Sequence, residues 1–187
     1  MININMDNKT LSFVTSDGVF SPKSIDKGTI AMISQVEFQS TDKVLDLGCG
    51  YGFVGIYASK IAGVEKVVMV DVQDEALELA QQNIEINNTT NVTLIKSDGF
   101  NNMFETGFTL ILSNPPYHVD FSVPRNFIEK GFNRLTIGGK MYMVTKRKEW
   151  YKKKFISIFG GVKIWEIDGY YIFMGIKNSM KYASKKK

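Results

Sequence analysis

Cysteine and histidine are almost missing from this chain: 187 residues hold one of each, Cys49 and His118. A lone cysteine excludes an internal disulfide, and one cysteine with one histidine cannot assemble the Cys/His sets that hold structural zinc. No apolar run approaches the roughly 18 residues that a membrane-crossing helix needs. Met1 to Thr10 also lacks the basic-then-apolar order of a secretion signal. These absences lead to the expectation of a soluble protein of a reducing cytoplasm, without a metal, without a membrane, and with nothing that calls for an obligate protein partner. A chain of this length with 44% hydrophobic residues can bury one core and is short for two, so one domain over 1–187 is expected.

Charge is present but uneven. Residues 1–100 hold 7 Lys/Arg and 13 Asp/Glu, and residues 101–187 hold 16 and 6, so the halves carry −6 and +10 within a net charge of +4. Lys146, Arg147, Lys148, Lys152, Lys153 and Lys154 crowd together. Such a cluster attracts a polyanion through counterion release, or is the solvated face of a helix.

From Lys43 to Val144, short β-rich runs alternate with amphipathic stretches, the pattern of parallel strands joined by crossover helices. The spacing predicts strands at Lys43–Leu47, Lys66–Val70, Val92–Lys96, Phe108–Leu112 and Lys140–Val144. Helices are predicted at Gly52–Ile61, Asp74–Asn87, Pro124–Leu135 and from about Lys148 to Phe159. In the second of these Ala76, Leu77, Ala80, Ile84 and Asn87 share a face, and Asp74 is the expected cap. Alternating apolar residues on both sides of Asp168-Gly169 predict a hairpin over Val162–Ile176. An antiparallel hairpin at the edge of a parallel sheet departs from the ordinary dinucleotide-binding topology. Upstream, Ser24–Val36 reads as a helix, and Phe13–Phe20 as a short strand or turn bending at Asp17-Gly18.

Three acids follow successive predicted strands. The run Val44-Leu45-Asp46-Leu47-Gly48-Cys49-Gly50-Tyr51-Gly52 sets Asp46 near a strand end and glycines in the turn that opens a helix, where backbone N–H groups can approach a ligand. A phosphate loop is the competing reading. Against it, no Gly-Lys-Ser/Thr follows, and Asp46 would repel a pyrophosphate while suiting a cationic, amine-bearing ligand. Asp71 closes the second strand, where a carboxylate can take ribose hydroxyls; with Asp74 available as the helix cap, the ribose role is preferred. Asp98, in Ser97-Asp98-Gly99-Phe100, is placed to accept from an adenine amino group. Together the three line the sheet edge where open α/β sheets bind ligands.

The fourth strand runs into Ser113-Asn114-Pro115-Pro116-Tyr117-His118. Two adjacent prolines stiffen the turn and remove donors, so Asn114 and the Pro115 carbonyl offer acceptors and Tyr117 a flat stacking face. That set suits a planar amine. An exocyclic amino group on a base is a poor nucleophile, and accepting its hydrogens favours a pyramidal nitrogen and stabilises the positive charge that grows there. No strong base is needed. His118 stays open between general base, substrate contact and packing. A catalytic thiol at Cys49 is not expected, because the loop backbone is committed to a ligand.

These residues resemble the class I S-adenosylmethionine-dependent methyltransferases, specifically the "methyltransferase small" domain of ribosomal small-subunit RNA guanine-N2 methyltransferases. Gly18-Val19-Phe20-Ser21, Asp26 and Gly28 look like that family's N-terminal cofactor-covering segment, and Asp46 to Gly52 like its first motif. Asn114-Pro115-Pro116-Tyr117-His118 is similar to its Asn-Pro-Pro-Phe-His catalytic segment, with tyrosine in place of phenylalanine. Tyrosine at that place is shared with adenine-N6 and protein glutamine methyltransferases. The resemblance implies an α/β, Rossmann-like class I methyltransferase fold: a mostly parallel seven-stranded sheet, a C-terminal antiparallel hairpin and helices on both faces. Residues 1–40 would be the covering segment and helix, 41–178 the catalytic core and 179–187 a basic tail. S-adenosylmethionine would be held by Phe20, Asp46, Gly48, Cys49, Gly50, Asp71, Val72, Asp98, Gly99 and Asn114. Catalysis would fall to Asn114, Pro115, Pro116 and Tyr117, and substrate contact to Tyr117, His118, Lys146, Arg147 and Lys148. The implied activity is N-methylation of an exocyclic amine, with guanine N2 of small-subunit (16S) ribosomal RNA as first choice and the RNA or the small subunit as partner. The alternatives are a protein glutamine amide, a small-molecule amine, or a binding protein without catalysis.

Overall fold

The computed structural model describes residues 1–6 and 8–183. The β-rich runs become β3 (Lys43–Leu47), β4 (Lys66–Asp71), β5 (Val92–Lys96), β6 (Phe108–Ser113) and β7 (Leu135–Thr145), which pair in parallel. Two further strands, β8 (Lys163–Ile167) and β9 (Tyr170–Ile176), form the hairpin, and β9 pairs antiparallel with β7. The seven-stranded order is β5-β4-β3-β6-β7-β9-β8. Asp168 and Gly169 both take positive φ, 50° and 78°, the twist that a two-residue hairpin turn needs.

Alternation along the strands splits the core into two layers. Val44, Met69, Leu112 and Val144 face α1 (Lys27–Ile33), α2 (Phe53–Lys60) and α3 (Asp74–Ile86). Leu45, Val70, Ile111 and Met143 face α4 (Ser122–Arg134) and α5 (Glu149–Phe159). Each fully buried aliphatic or aromatic side chain of this kind contributes roughly 1.5–3 kcal/mol. Among the described residues no helix is long and apolar enough to cross a membrane.

Several expected boundaries move. The expected helix at Ser24–Val36 shrinks to α1, because the Asp26 side chain accepts from Thr29 N and starts the helix there. Asp74 is not a cap: Gln73 holds that position without a side-chain bond, and Asp74 pairs with Lys96. Leu79, not Leu77, is buried on the inner face of α3. β7 begins at Leu135, directly after α4, and a register shift between Phe108 and Leu110 takes up the extra residues. Within the expected basic tail of 179–187, the Tyr182 hydroxyl donates to the Glu129 carbonyl while its ring packs on Phe132; residues 184–187 lie outside the described residues.

One element was not anticipated: an N-terminal hairpin of β1 (Ile2–Met6) and β2 (Lys9–Phe13). It buries Leu11 and Phe13 and is tied to α3 by two asparagines one turn apart. Asn87 exchanges hydrogen bonds with the Ser12 backbone, and Asn83 does the same with Val14. The two amides act as a short strand edge on a helix and direct residues 15–26 across the carboxyl ends of the parallel strands.

Candidate active site

β3 pairs with β4 on one side and β6 on the other, and ligands settle at such a switch of direction in an open α/β sheet. Here a cleft of about 450 Å³ opens. Its floor is the glycine loop after β3. Gly48 N and Cys49 N donate to the Val70 carbonyl, and Gly50 N donates to Asp71 Oδ2 at 2.8 Å. Gly50 sits at φ 55°, and a Cβ there would meet nothing within 4 Å. Glycine is therefore required by the backbone conformation, and the space above it is left to a ligand.

Asp71 is held more firmly than expected. Its Oδ1 accepts from Val72 N and Gln73 N while its Oδ2 holds Gly50 N. Three of its roughly four acceptor positions are thus filled by backbone. One remains for a hydroxyl. Asp46 is 3% exposed and accepts from Gly55 N at 2.9 Å. Burial, with the Asp71 charge adding to it against the Gly55 bond, pushes its carboxyl up to about 7. A buried carboxylate in that condition fits a cationic group in the cleft. Cys49 is buried and its thiol is pushed well above its ordinary value, first by burial and then by Asp46 and Asp71, so it is a poor nucleophile.

The lips of the cleft are apolar. Val72 is 53% and Phe20 51% exposed, and Phe127 lines the cleft with them. Asp98 is an exposed carboxylate on the same rim, and Gly99 lets the chain pass the Phe127 ring. A flat aromatic ring between Val72 and Phe127 with Asp98 at its edge fits these groups.

Asn114, Pro115 and Pro116 also line the cleft. The Asn114 Nδ2 donates to Asp26 Oδ2 at 2.9 Å and to Thr29 Oγ1 at 2.8 Å, while its Oδ1 is buried without a partner. Tyr117 stands outside the cleft, its ring flanked by Phe20 at 6.1 Å and Tyr170 at 6.3 Å between centroids. Its hydroxyl is buried beside the Asn114 side chain without a hydrogen bond of regular geometry. Burial first, and then the charge of Asp26, drive that hydroxyl above its ordinary range, against the opposing pull of the Asn114 amide. His118 is exposed and does not line the cleft.

Lys146, Arg147 and Lys148 follow β7 as a basic rim, and none of the three lines the cleft. Each lies over a ring: Lys146 over Tyr170 at 4.9 Å, Arg147 over Phe121 at 4.9 Å, Lys148 over Tyr171 at 5.1 Å. Lys146, Tyr170, Tyr117 and Phe20 thereby make one chain of contacts beside Asn114. Among the described residues no group of three or more His, Cys, Asp or Glu side chains is placed to hold a metal ion.

Sequence reasoning did not assign Thr29, Phe127 or Tyr170 to the site, and Asp26 was read only as part of a covering segment. The spacing Asp26-Lys-Gly-Thr29 is a helix-cap signal and says nothing of a distant partner. Tyr170 carries no local signal at all.

Comparisons with known proteins agree with this geometry. The family model described as "Methyltransferase small domain" matches residues 10–174. The chain is 33% identical over 149 residues to the uncharacterized protein YbxB of Bacillus subtilis, covering 79% of this chain and 74% of that one. It is 30% identical over 165 residues to the ribosomal RNA small subunit methyltransferase C of Psychromonas ingrahamii, covering 86% of this chain and 47% of that protein. The chain thus spans about half the length of the curated methyltransferase C relatives that it matches. A T. thermophilus 16S rRNA N2 methyltransferase, solved in complex with AdoMet and guanosine, superposes with a TM-score of 0.85 at 23% identity, covering 94% of this chain and 50% of that one. The fold is that of a class I methyltransferase.

Proposed function

The chain belongs to the methyltransferase small domain family, and on that footing we propose that it transfers a methyl group from S-adenosylmethionine to the exocyclic amino nitrogen of an RNA base. The observation that carries this reading is the buried, unpartnered Asn114 Oδ1 at the cleft wall: a buried acceptor without a donor costs about 1–3 kcal/mol unless a ligand supplies one. A guanine N2 amine in small-subunit ribosomal RNA is the proposed target, supported by the named relatives and by the basic rim. A bacterial cytoplasm, where that RNA is made, is the proposed location.

S-adenosylmethionine supplies a methyl group on a sulfonium, which needs no metal and no strong base. When it is bound, Asp46 would face its positive end from the floor, Asp71 would offer one acceptor to its ribose, and Val72, Phe127 and Asp98 would receive its adenine. Asn114 Oδ1 and the Pro115 carbonyl accept the two hydrogens of the target amine, which holds the nitrogen lone pair free and stabilises the positive charge it gains. Tyr117 offers its face to the extruded base, with Phe20 and Tyr170 yielding that place. Lys146, Arg147 and Lys148 hold the flanking phosphates. Alignment supplies the rest of the rate.

The test is to incubate the protein with methyl-labelled S-adenosylmethionine and unmodified ribosomal RNA or subunits, digest to nucleosides and identify the labelled species by mass spectrometry. N2-methylguanosine is the expected product. Label in another amino-methylated base changes the target, and label that enters protein and survives ribonuclease overturns RNA as substrate.

A further inference from the structure

An amide has two ends, and only one of them helps an amine attack. The Asn114 side chain carries a carbonyl oxygen and an NH2 on one plane that can turn over by 180°. Turned one way it accepts from the target amine; turned the other it confronts that amine with its own hydrogens. In the structure the NH2 is committed to Asp26 Oδ2 and Thr29 Oγ1. A carboxylate oxygen only accepts, so Asp26 admits the nitrogen of the amide and rejects its oxygen.

We propose that Asp26, aided by Thr29, is a positioning residue for methyl transfer: it locks the Asn114 amide in the orientation that leaves Oδ1 for the target amine. This rests on the reading of Asn114 given above. The lock is itself well anchored. The same Asp26 Oδ2 accepts from Thr29 N at 2.7 Å and from Thr29 Oγ1 at 3.2 Å, so the first turn of α1 and the loop after β6, 88 residues apart in sequence, share one acceptor. The turn is closed from outside by Tyr170, which packs so tightly on Gly28 that a Cβ there would lie 2.6 Å from its ring. The reach of the Asp26 charge into the site is visible in Tyr117 and Tyr51, whose hydroxyls it pushes up after burial has done so. A segment that crosses the cleft as a cover therefore also sets the polarity of the group that receives substrate.

Asp26→Ser separates this role from helix capping, because serine caps about as well as aspartate but its hydroxyl both donates and accepts and no longer discriminates between the amide ends. The expected result on unmodified small-subunit ribosomal RNA is a fall in kcat of about a hundredfold, the scale of a misaligned reacting group, with the Kd for S-adenosylmethionine and the thermal midpoint unchanged. The Asn114 Nδ2 proton resonances, held by two bonds in the parent, should shift or broaden. Thr29→Val, which leaves the cap in place, should lower kcat several-fold and decides the matter if Asp26→Ser fails to fold. Full kcat in Asp26→Ser or, failing its folding, in Thr29→Val overturns the proposal, as does a loss of kcat matched by an equal loss of cofactor affinity. Asn114→Ala distinguishes the two levels. If Asn114→Ala is inactive while Asp26→Ser is fully active, the reading of Asn114 stands and the positioning role falls; if Asn114→Ala runs at the parent rate, both fall.

Discussion

Single side chains carry the chemistry, and two of them give measurable consequences. Asn114→Ala removes the acceptor while leaving the glycine loop intact. Its kcat should drop by roughly a hundred- to a thousandfold, the scale of losing one preorganised transition-state hydrogen-bond partner, with cofactor binding retained in calorimetry. Asp46 gives a pH signature. Its carboxyl is raised from an ordinary 3.8 to about 7 by burial, so in the unliganded protein the neutral form favours folding. That contribution is full below 3.8 and is lost as the pH rises through about 7. A cationic ligand needs the ionised form. Affinity for S-adenosylmethionine should therefore climb between pH 5 and 7, while the thermal midpoint of the free protein falls from about pH 4 to about 7 and levels off above that. Asp46→Asn should flatten both curves; a parent-like pH dependence in that variant would mean that another group titrates. At this scale Asp46, Asn114 and the glycines were legible because each sits at a strand end in a recognisable spacing. Asp71 was legible in position, but not the three backbone bonds that its carboxylate accepts from Gly50, Val72 and Gln73. Asp74 does not cap α3, because the cap position falls one residue earlier, on Gln73, and Asp74 stands inside the first turn, paired with Lys96.

At the scale of elements, the parallel strands and the hairpin appear within a residue or two of where periodicity put them, β7 apart, since alternation and the Asp168-Gly169 turn are local signals. β1 and β2 were invisible for the opposite reason. Ile2, Ile4 and Met6 alternate, but an isolated hairpin is marginal, and this one persists through Asn83 and Asn87 on a helix far along the chain. The basic rim is an element-scale feature as well. Lys146, Arg147 and Lys148 lie over Tyr170, Phe121 and Tyr171, and Lys146 reaches the Tyr117 ring through Tyr170. Neutralising all three with glutamine should weaken RNA binding and lower the slope of log K against log salt by about 2 to 3, at roughly 0.7–0.9 for each phosphate no longer neutralised. Cofactor affinity should not change. An unaltered slope in a titration from about 50 to 200 mM salt would place the RNA elsewhere.

For the whole molecule, the cleft joins β3, β4, β5, β6 and the covering segment, so a ligand bound there should stabilise all of them together. S-adenosylmethionine at a hundred times its Kd should add about 2.7 kcal/mol, a rise in thermal midpoint of roughly 5 to 10 °C for a protein of this size. A nucleoside triphosphate at the same concentration should give none, which separates the glycine loop from a phosphate loop by calorimetry. The alternation of strands and helices, the glycine turn after β3, the acids at successive strand ends and the Asn-Pro-Pro-Tyr segment were all determined by the sequence itself, because each depends on residues within one or two turns of chain. Tertiary structure alone decided the rest: that β9 lies between β7 and β8 and carries Tyr170 to Tyr117, and that Asp26 meets Asn114 across 88 residues. Such contacts depend on which distant segments the sheet order and the packing of α3 bring to one edge, and no short-range pattern of residue types encodes that choice.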